Sequence, residues 1–119
     1  MNATELLSFK NWVVVGDVTN ESKYAAKILK KLKSRDFNVE GVHPKGDGTY
    51  KTLKEVPYKI DVIDLCINPI SGIKFIEEAK TLNIKYILIQ PGAESREILD
   101  YCKENDIVAI EGCALIALG

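Results

Sequence analysis

The sequence predicts an α/β protein that folds as one domain over residues 1–119, around a doubly wound parallel sheet of five strands. Short apolar segments alternate along the chain with amphipathic segments of helical spacing. The apolar segments are hydrophobic on both faces, which is typical of parallel strands covered by helices on each side. With 119 residues, of which 46% are hydrophobic and 28% charged, the chain can bury one core but has no room for a second domain.

Each element follows from its own pattern. Five apolar segments are predicted strands: residues 12–15, 37–42, 60–67, 84–90 and 107–110. Three segments are predicted helices because apolar residues recur at helical spacing: one from about residue 23, one over 69–82 with Ile70, Ile73, Ile76 and Ala79 inward, and one over 95–105. Residues 50–58 are expected to be irregular, with at most one helical turn. The apolar residues 113–118 should pack on the core or on a partner.

Right-handed crossovers between parallel strands predict their order in the sheet. The economical arrangement is Rossmann-like, with the order 3-2-1-4-5. A flavodoxin-like order, 2-1-3-4-5, is the alternative. In either case ligands bind beyond the carboxyl ends of the strands, beside the first strand.

Composition excludes several classes of partner. The formal net charge of −1 leaves no overall basic field for nucleic acid, and the longest apolar runs are too short to cross a membrane. No signal peptide is legible in residues 1–20, so the cytoplasm is the expected location. Three cysteines without C-x-x-C spacing are expected to be free thiols, and the single histidine excludes a histidine-based metal cluster, so no metal is expected.

Five short turns follow the predicted strands, and a parallel sheet brings them to one edge. The first turn is the most informative, because Gly16 follows a strand and a polar loop then leads into a helix, as in phosphate-binding strand-turn-helix units. The dinucleotide fingerprint G-x-G-x-x-G is incomplete, since its later glycines would fall at Val18 and Glu21. The candidate ligand-binding residues in these turns are Gly16, Asp17, Val18, Thr19, His43, Pro44, Lys45, Asn68, Pro69, Gln90, Pro91, Gly92 and Cys113.

The end of the second strand bears on the identity of the nucleotide. NAD-binding domains carry an acidic residue there to hold the ribose diol, whereas a phosphorylated ribose needs a cation. Here the segment reads His43-Pro44-Lys45. Lys45 either meets a ribose phosphate, which favours coenzyme A (CoA) or NADP over NAD, or is a surface lysine of the loop. His43 is either structural or lines the adenine pocket.

Several strings of the sequence resemble the small stand-alone CoA-binding domain family: WVVVGDVTNESKYAAKILKKL, VHPK, KTLKEVP, IDVIDLCINP, IEEAKTLNIKYILIQPGAES and EGCALIAL. The resemblance covers about residues 10–118 and implies a Rossmann-like fold similar to the CoA-binding domain of the succinyl-CoA synthetase alpha subunit. It implies CoA or acyl-CoA as the ligand, with Lys45 at the phosphorylated ribose and with Asn68 and Pro69 bordering the adenine or the pantetheine arm. The phosphate-binding positions that it implies are Gly16, Thr19, Lys23 and Tyr24.

No catalytic residue is predicted. Asp61 and Asp64 are three positions apart in a strand, so they face opposite sides of the sheet and cannot act together. Cys113 is either a buried, inert thiol or a thiol that forms a mixed disulfide with CoA. Two functions remain open: a non-enzymatic CoA-binding module of the sensor or regulatory type, and, as the alternative, a small NADP-binding or CoA-transferring enzyme completed by homodimerisation or by a protein partner.

Overall fold

The computed structural model describes all residues 1–119 and confirms the α/β fold with five parallel strands. The strands are β1 (Asn11–Gly16), β2 (Asn38–Val42), β3 (Val62–Cys66), β4 (Tyr86–Ile89) and β5 (Val108–Glu111). The helices are α1 (Ala3–Leu6), α2 (Tyr24–Ser34), α3 (Pro69–Thr81), α4 (Arg96–Glu104) and α5 (Ala114–Leu118). A single 3₁₀ turn, Leu53–Glu55, interrupts the otherwise irregular residues 50–58, as predicted.

The strand order is β2-β1-β3-β4-β5, so the predicted order 3-2-1-4-5 is wrong and the flavodoxin-like alternative is observed. The predicted order would have placed β3 at the edge of the sheet. Residues Val62, Ile63, Asp64 and Leu65 are fully buried, which requires neighbours on both sides, and β3 pairs with β1 and β4. The free side of β2 is occupied only by an isolated parallel bridge between Val42 and Tyr50.

Helices cover both faces of the sheet and divide the core in two. On one face, Trp12, Val14, Val62 and Leu88 pack against α1, α2 and α5. On the other face, Val13, Ile63 and Ile87 pack against α3 and α4. Alternate residues of each strand therefore supply the two halves of the core, as the hydrophobic pattern on both faces of the strands requires.

The inner stripe of α3 differs from the predicted one at its first position. Ile70 is 84% exposed, whereas Gly72, Phe75, Ile76 and Ala79 are buried. The helix begins at Pro69, beyond the carboxyl edge of the sheet, so its first turn has no strand beneath it. None of the five helices has the length and hydropathy that crossing a bilayer would need.

The apolar C-terminal residues form α5, which is anchored on α2. Ala114 and Leu118 are buried in the core shared with α1 and α2. Arg35 donates hydrogen bonds to the carbonyl oxygens of Leu118 and Gly119 at 3.0 and 3.1 Å, and Lys31 Nζ donates to Gly119 at 2.8 Å. Lys31 of α2 and Arg35, its C-cap residue, thus satisfy carbonyl groups that end α5 and hold this helix beside the carboxyl edge of β3 and β4.

Candidate functional site

Two cavities open at the carboxyl edge of the sheet, and α2 begins between them. We call them the polar cavity and the apolar cavity. The polar cavity, of about 240 Å³, is lined by Gly16, Asp17, Val18, Thr19, His43, Lys45, Asp47 and Thr49. The apolar cavity, of about 380 Å³, is lined by Tyr24, Cys66, Gln90, Pro91, Cys113, Leu115 and Ile116.

Packing alone requires a residue without a side chain at position 16. A Cβ atom at this position would lie 2.4 Å from the backbone oxygen of Cys66 and 3.1 Å from Cβ of Ala25. The absence of a side chain lets β1 approach β3 and the first turn of α2 closely. Val18 then packs into the space above Gly41, where an added Cβ would lie 2.4 Å from the Val18 side chain. The loop between β1 and α2 therefore has a defined course across the sheet edge.

The N-terminus of α2 lacks a capping side chain. Lys23 occupies the N-cap position and makes no side-chain hydrogen bond there. By contrast, α1, α3 and α4 are capped by Asn2, Asn68 and Ser95, each of which accepts a backbone N–H. The first amides of α2 have no intrahelical partners, and the helix dipole adds partial positive charge at the same point. This end of α2, whose first residue Tyr24 lines the apolar cavity, is suited to an anionic group.

The polar cavity carries charges of both signs. Lys45 faces it together with the carboxyl groups of Asp17 and Asp47. Thr19 Oγ1 donates a hydrogen bond to Asp17 Oδ1 at 3.2 Å. The backbone N–H of Lys45 donates to His43 Nδ1 at 3.1 Å, so the imidazole holds the turn and its other nitrogen carries the proton in the neutral ring. An anion bound here meets one lysine and two nearby carboxylates.

The apolar cavity is walled mainly by carbon and sulfur atoms. Burial raises the pKa of the Cys66 thiol to about 12, and Asp64 and Cys113 contribute to the same shift. Gln90 is buried, and its side-chain oxygen accepts the backbone N–H of Ala114 at 2.8 Å. Tyr24, the first residue of α2, also lines the cavity and is 66% exposed. Lys27 Nζ lies 5.5 Å from the centre of its ring. The cavity suits an apolar group.

Some predicted site residues line neither cavity. Pro44 and Lys23 lie at the same edge but outside the cavity walls. Asn68 caps α3 by accepting the N–H of Ser71 at 2.9 Å, and Pro69 is the first residue of that helix. Gly92 has a φ of +94° and serves the turn after β4. These positions have evident structural roles, and their part in ligand binding stays a prediction.

Five lining residues were absent from the sequence-based set: Asp47, Thr49, Cys66, Leu115 and Ile116. The first two lie in a loop that has no periodicity to reveal which side chains point to the edge. Cys66 had a usable signal, because it is the last residue of β3 and strand ends at this edge were already candidates. Ile116 is 82% exposed although it belongs to an apolar segment, a pattern that also hints at a binding surface.

Asp64 is the most unusual side chain near the site. It is fully buried in β3 between Val14 and Leu88, and neither carboxyl oxygen has a hydrogen-bond partner. Burial raises the pKa of this carboxyl well above its ordinary value. Cys66 lies two residues further along the same face of the strand, at the apolar cavity. Asp61, in contrast, accepts the backbone N–H of Asn11 at 3.2 Å at the opposite end of the sheet.

Polar groups and thiols meet at this edge of the sheet. No group of three or more histidine, cysteine, aspartate or glutamate side chains is arranged to hold a metal ion. The polar groups are a lysine, two carboxylates, hydroxyls and free helix amides, and they surround one side of the start of α2. The thiols and apolar side chains surround the other side.

Comparison with known proteins identifies the family. The model of the family described as "CoA binding domain" matches residues 10–119. A conserved hypothetical protein from Pyrococcus furiosus has 32% sequence identity and a TM-score of 0.82, with 91% of this chain and 98% of that one covered. A search of curated protein sequences gave no match.

Two further solved structures share the fold at lower identity. A hypothetical protein from Pyrococcus horikoshii superposes with a TM-score of 0.87 at 21% identity, covering 98% of this chain and 89% of the other. The dinucleotide forming acetyl-coenzyme A synthetase of Ca. Korarchaeum cryptofilum, solved with phosphate and ADP, gives a TM-score of 0.70 at 21% identity. That match covers 92% of this chain but 27% of the synthetase, so the fold occurs there as one part of a larger protein.

Proposed function

The chain belongs to the CoA-binding domain family, and from this premise we propose that it binds CoA or an acyl-CoA as a non-enzymatic module of the sensor or regulatory type. One observation carries the proposal. A polar cavity with a lysine, an uncapped helix N-terminus and an apolar cavity follow one another along a single edge. The CoA molecule has the same sequence of chemical groups: a phosphorylated ribose, a pyrophosphate and a pantetheine arm that ends in a thiol.

The proposed pose follows from this match. The phosphorylated ribose lies in the polar cavity near Lys45, whose ammonium group is the cation of that cavity. The pyrophosphate lies at the first turn of α2, where amides without partners and the helix dipole favour negative charge. The pantetheine arm passes Tyr24 and ends in the apolar cavity. CoA thus spans both cavities across the loop that begins at Gly16.

Calorimetric titration with CoA, dephospho-CoA and NAD tests the proposal. Dephospho-CoA lacks the ribose phosphate, so we expect it to bind about tenfold more weakly than CoA, and NAD to bind poorly. Lys45→Ala should remove most of the difference between CoA and dephospho-CoA. Lys54 lies in the 3₁₀ turn, away from both cavities, so Lys54→Ala is the matched control. This variant should keep the difference in affinity between CoA and dephospho-CoA. Equal affinity of the wild type for the two ligands would assign Lys45 to the surface, and no heat with any CoA ligand would refute the function.

The alternative, a small NADP-binding or CoA-transferring enzyme, is favoured by the same lysine. A 2′-phosphorylated ribose needs a cation as the ribose of CoA does, and Lys45 could serve either. NADP belongs in the same titration for this reason. Tighter binding of NADP than of CoA would select the alternative, and such an enzyme would need a second copy of the chain or a partner protein to complete its active site.

A further inference from the structure

Two of the three cysteines border the apolar cavity. Cys66 ends β3 and Cys113 immediately precedes α5. Gln90 connects the two segments: its N–H donates to the carbonyl oxygen of Leu65 at 3.0 Å, and its side-chain oxygen accepts the N–H of Ala114 at 2.8 Å. Each cysteine is therefore the sequence neighbour of a residue that Gln90 holds, and both cysteines line one cavity.

The Cys66 thiol ionises with difficulty. Burial raises its pKa to about 12, with smaller contributions from Asp64 and from Cys113, which lines the same cavity. At such a pKa about one Cys66 thiol in 10⁵ is ionised at pH 7, and only the thiolate attacks a disulfide. Cys66, half-buried at the end of β3, is a poor first nucleophile. Cys113, in the turn after β5, is placed to react first.

We propose that Cys66 and Cys113 form a dithiol that reduces the disulfide of CoA, a reaction that rests on the proposed binding of CoA. The Cys113 thiolate attacks one sulfur of CoA disulfide, the sulfur–sulfur bond breaks, and one CoA leaves as a thiolate that takes up a proton. Cys66 then attacks the Cys113 sulfur of the mixed disulfide and releases the second CoA. The cysteines are oxidised to one disulfide, and their two electrons and two protons end in two CoA thiols.

Asp64 is the proton acceptor in the second step. Its carboxyl lies two residues before Cys66 on the same face of β3, fully buried and without a hydrogen-bond partner. The Cys66 thiol must lose its proton to attack. Burial raises the pKa of Asp64, so the carboxyl accepts that proton only in its ionised form, which becomes more abundant as the pH rises and is a stronger base than a carboxylate in water. The proposal gives a function to a polar group that the packing of the core does not need.

The experiment adds CoA disulfide to the reduced protein without oxygen and follows free CoA and the intact protein mass. The wild type should release two CoA per chain and end with a Cys66–Cys113 disulfide. Cys66→Ser should release one CoA and keep the other as an adduct that reductant removes, and Cys113→Ser should not react while folded. Cys102→Ser is the matched control, because this thiol is buried on the opposite face of the sheet, and it should behave as the wild type does.

The rate at which the protein disulfide closes tests the role of Asp64 separately. Asp64→Asn should form the first adduct at the wild-type rate and close the protein disulfide about tenfold more slowly, or slower still. Closure at the wild-type rate would remove Asp64 from the reaction. A stable CoA adduct on the wild-type protein, or reaction of folded Cys113→Ser, would overturn the dithiol itself.

Two further measurements separate this proposal from the proposed function. Calorimetry of the reduced wild-type protein with CoA in its thiol form reports binding without exchange, and 2-hydroxyethyl disulfide reports exchange without a nucleotide. If CoA binds and no disulfide is reduced, the dithiol is refuted and CoA binding stands. If 2-hydroxyethyl disulfide oxidises Cys66 and Cys113 while CoA does not bind, the CoA function is refuted and the reactive pair stands.

Discussion

Replacing Asp64 by Asn should stabilise the protein increasingly as the pH rises above about 4. Burial raises the pKa of this carboxyl well above its ordinary value of 3.8, and no partner offsets the cost. Below that ordinary value the group is neutral in both the folded and the unfolded chain. At higher pH the unfolded chain releases the proton and the folded chain keeps it, so the free energy of unfolding falls by about 1.4 kcal/mol per pH unit until the folded-state pKa is reached.

Urea unfolding of the wild type and Asp64→Asn over a range from about pH 4 to pH 8 measures the effect. The asparagine amide is itself unpaired, and this cost is the same at every pH, so the expected result is a difference in slope rather than a fixed offset. The stability of the variant relative to the wild type should grow by roughly 1 kcal/mol per pH unit above pH 4. Asp100→Asn, at an exposed position of α4, is the control and should change stability by less than about 0.5 kcal/mol. Parallel pH profiles for Asp64→Asn and wild type would refute the reasoning, because they would mean that the carboxyl is solvated or hydrogen-bonded in the fold.

Three further predictions concern the loops and the C-terminal helix. Asp47→Asn removes a carboxylate from the polar cavity and should tighten CoA binding about twofold to fivefold in a calorimetric titration, less at high salt; weaker binding would contradict the assigned pose. Gly41→Ala forces the Val18 side chain away from a Cβ atom only 2.4 Å distant and should lower the free energy of unfolding by about 1–3 kcal/mol; an unchanged urea midpoint would contradict the packing. Arg35→Ala removes two hydrogen bonds that anchor α5 and should cost about 1 kcal/mol, whereas Arg96→Ala, at an exposed position of α4, should cost less than about 0.5 kcal/mol.

The local elements could be predicted because each has its own periodicity or capping signal. Val13, Val14 and Val15 fill both faces of a parallel strand, and Pro69 marks the start of α3, which the structure confirms. The helix α1 was not predicted, since four residues are too few to show a helical period. Residues 113–118 were expected to pack on the core or on a partner, and Ala114 and Leu118 are buried whereas Ile116 is exposed. Their helical conformation and their anchoring by Arg35 depend on contacts with residues that lie far away in the sequence.

The order of the strands could not be read from local pattern alone. Both orders satisfy right-handed crossovers, and the choice depends on whether β3 lies at the edge or in the centre of the sheet. The continuous burial of Ile63, Asp64 and Leu65 decides it, and only the folded chain displays that burial. The same placement sets Cys66 between the Gly16 loop and Gln90. The predicted order, with strand 3 at the edge, would have placed this thiol away from Cys113.

A buried carboxyl that lowers stability at neutral pH needs a reason to be in the core. Asp64 accepts no hydrogen bond and neutralises no cation, so the fold itself gains nothing from it. Strained or unsatisfied groups of this kind concentrate at functional sites, and the thiol next to Asp64 on the same face of β3 is one of the pair that borders the apolar cavity. The two effects expected of Asp64→Asn have opposite signs: greater stability and slower closure of the protein disulfide. General damage to the fold would lower both stability and rate, so a variant that is more stable and slower is the result expected of a chemical role for the carboxyl.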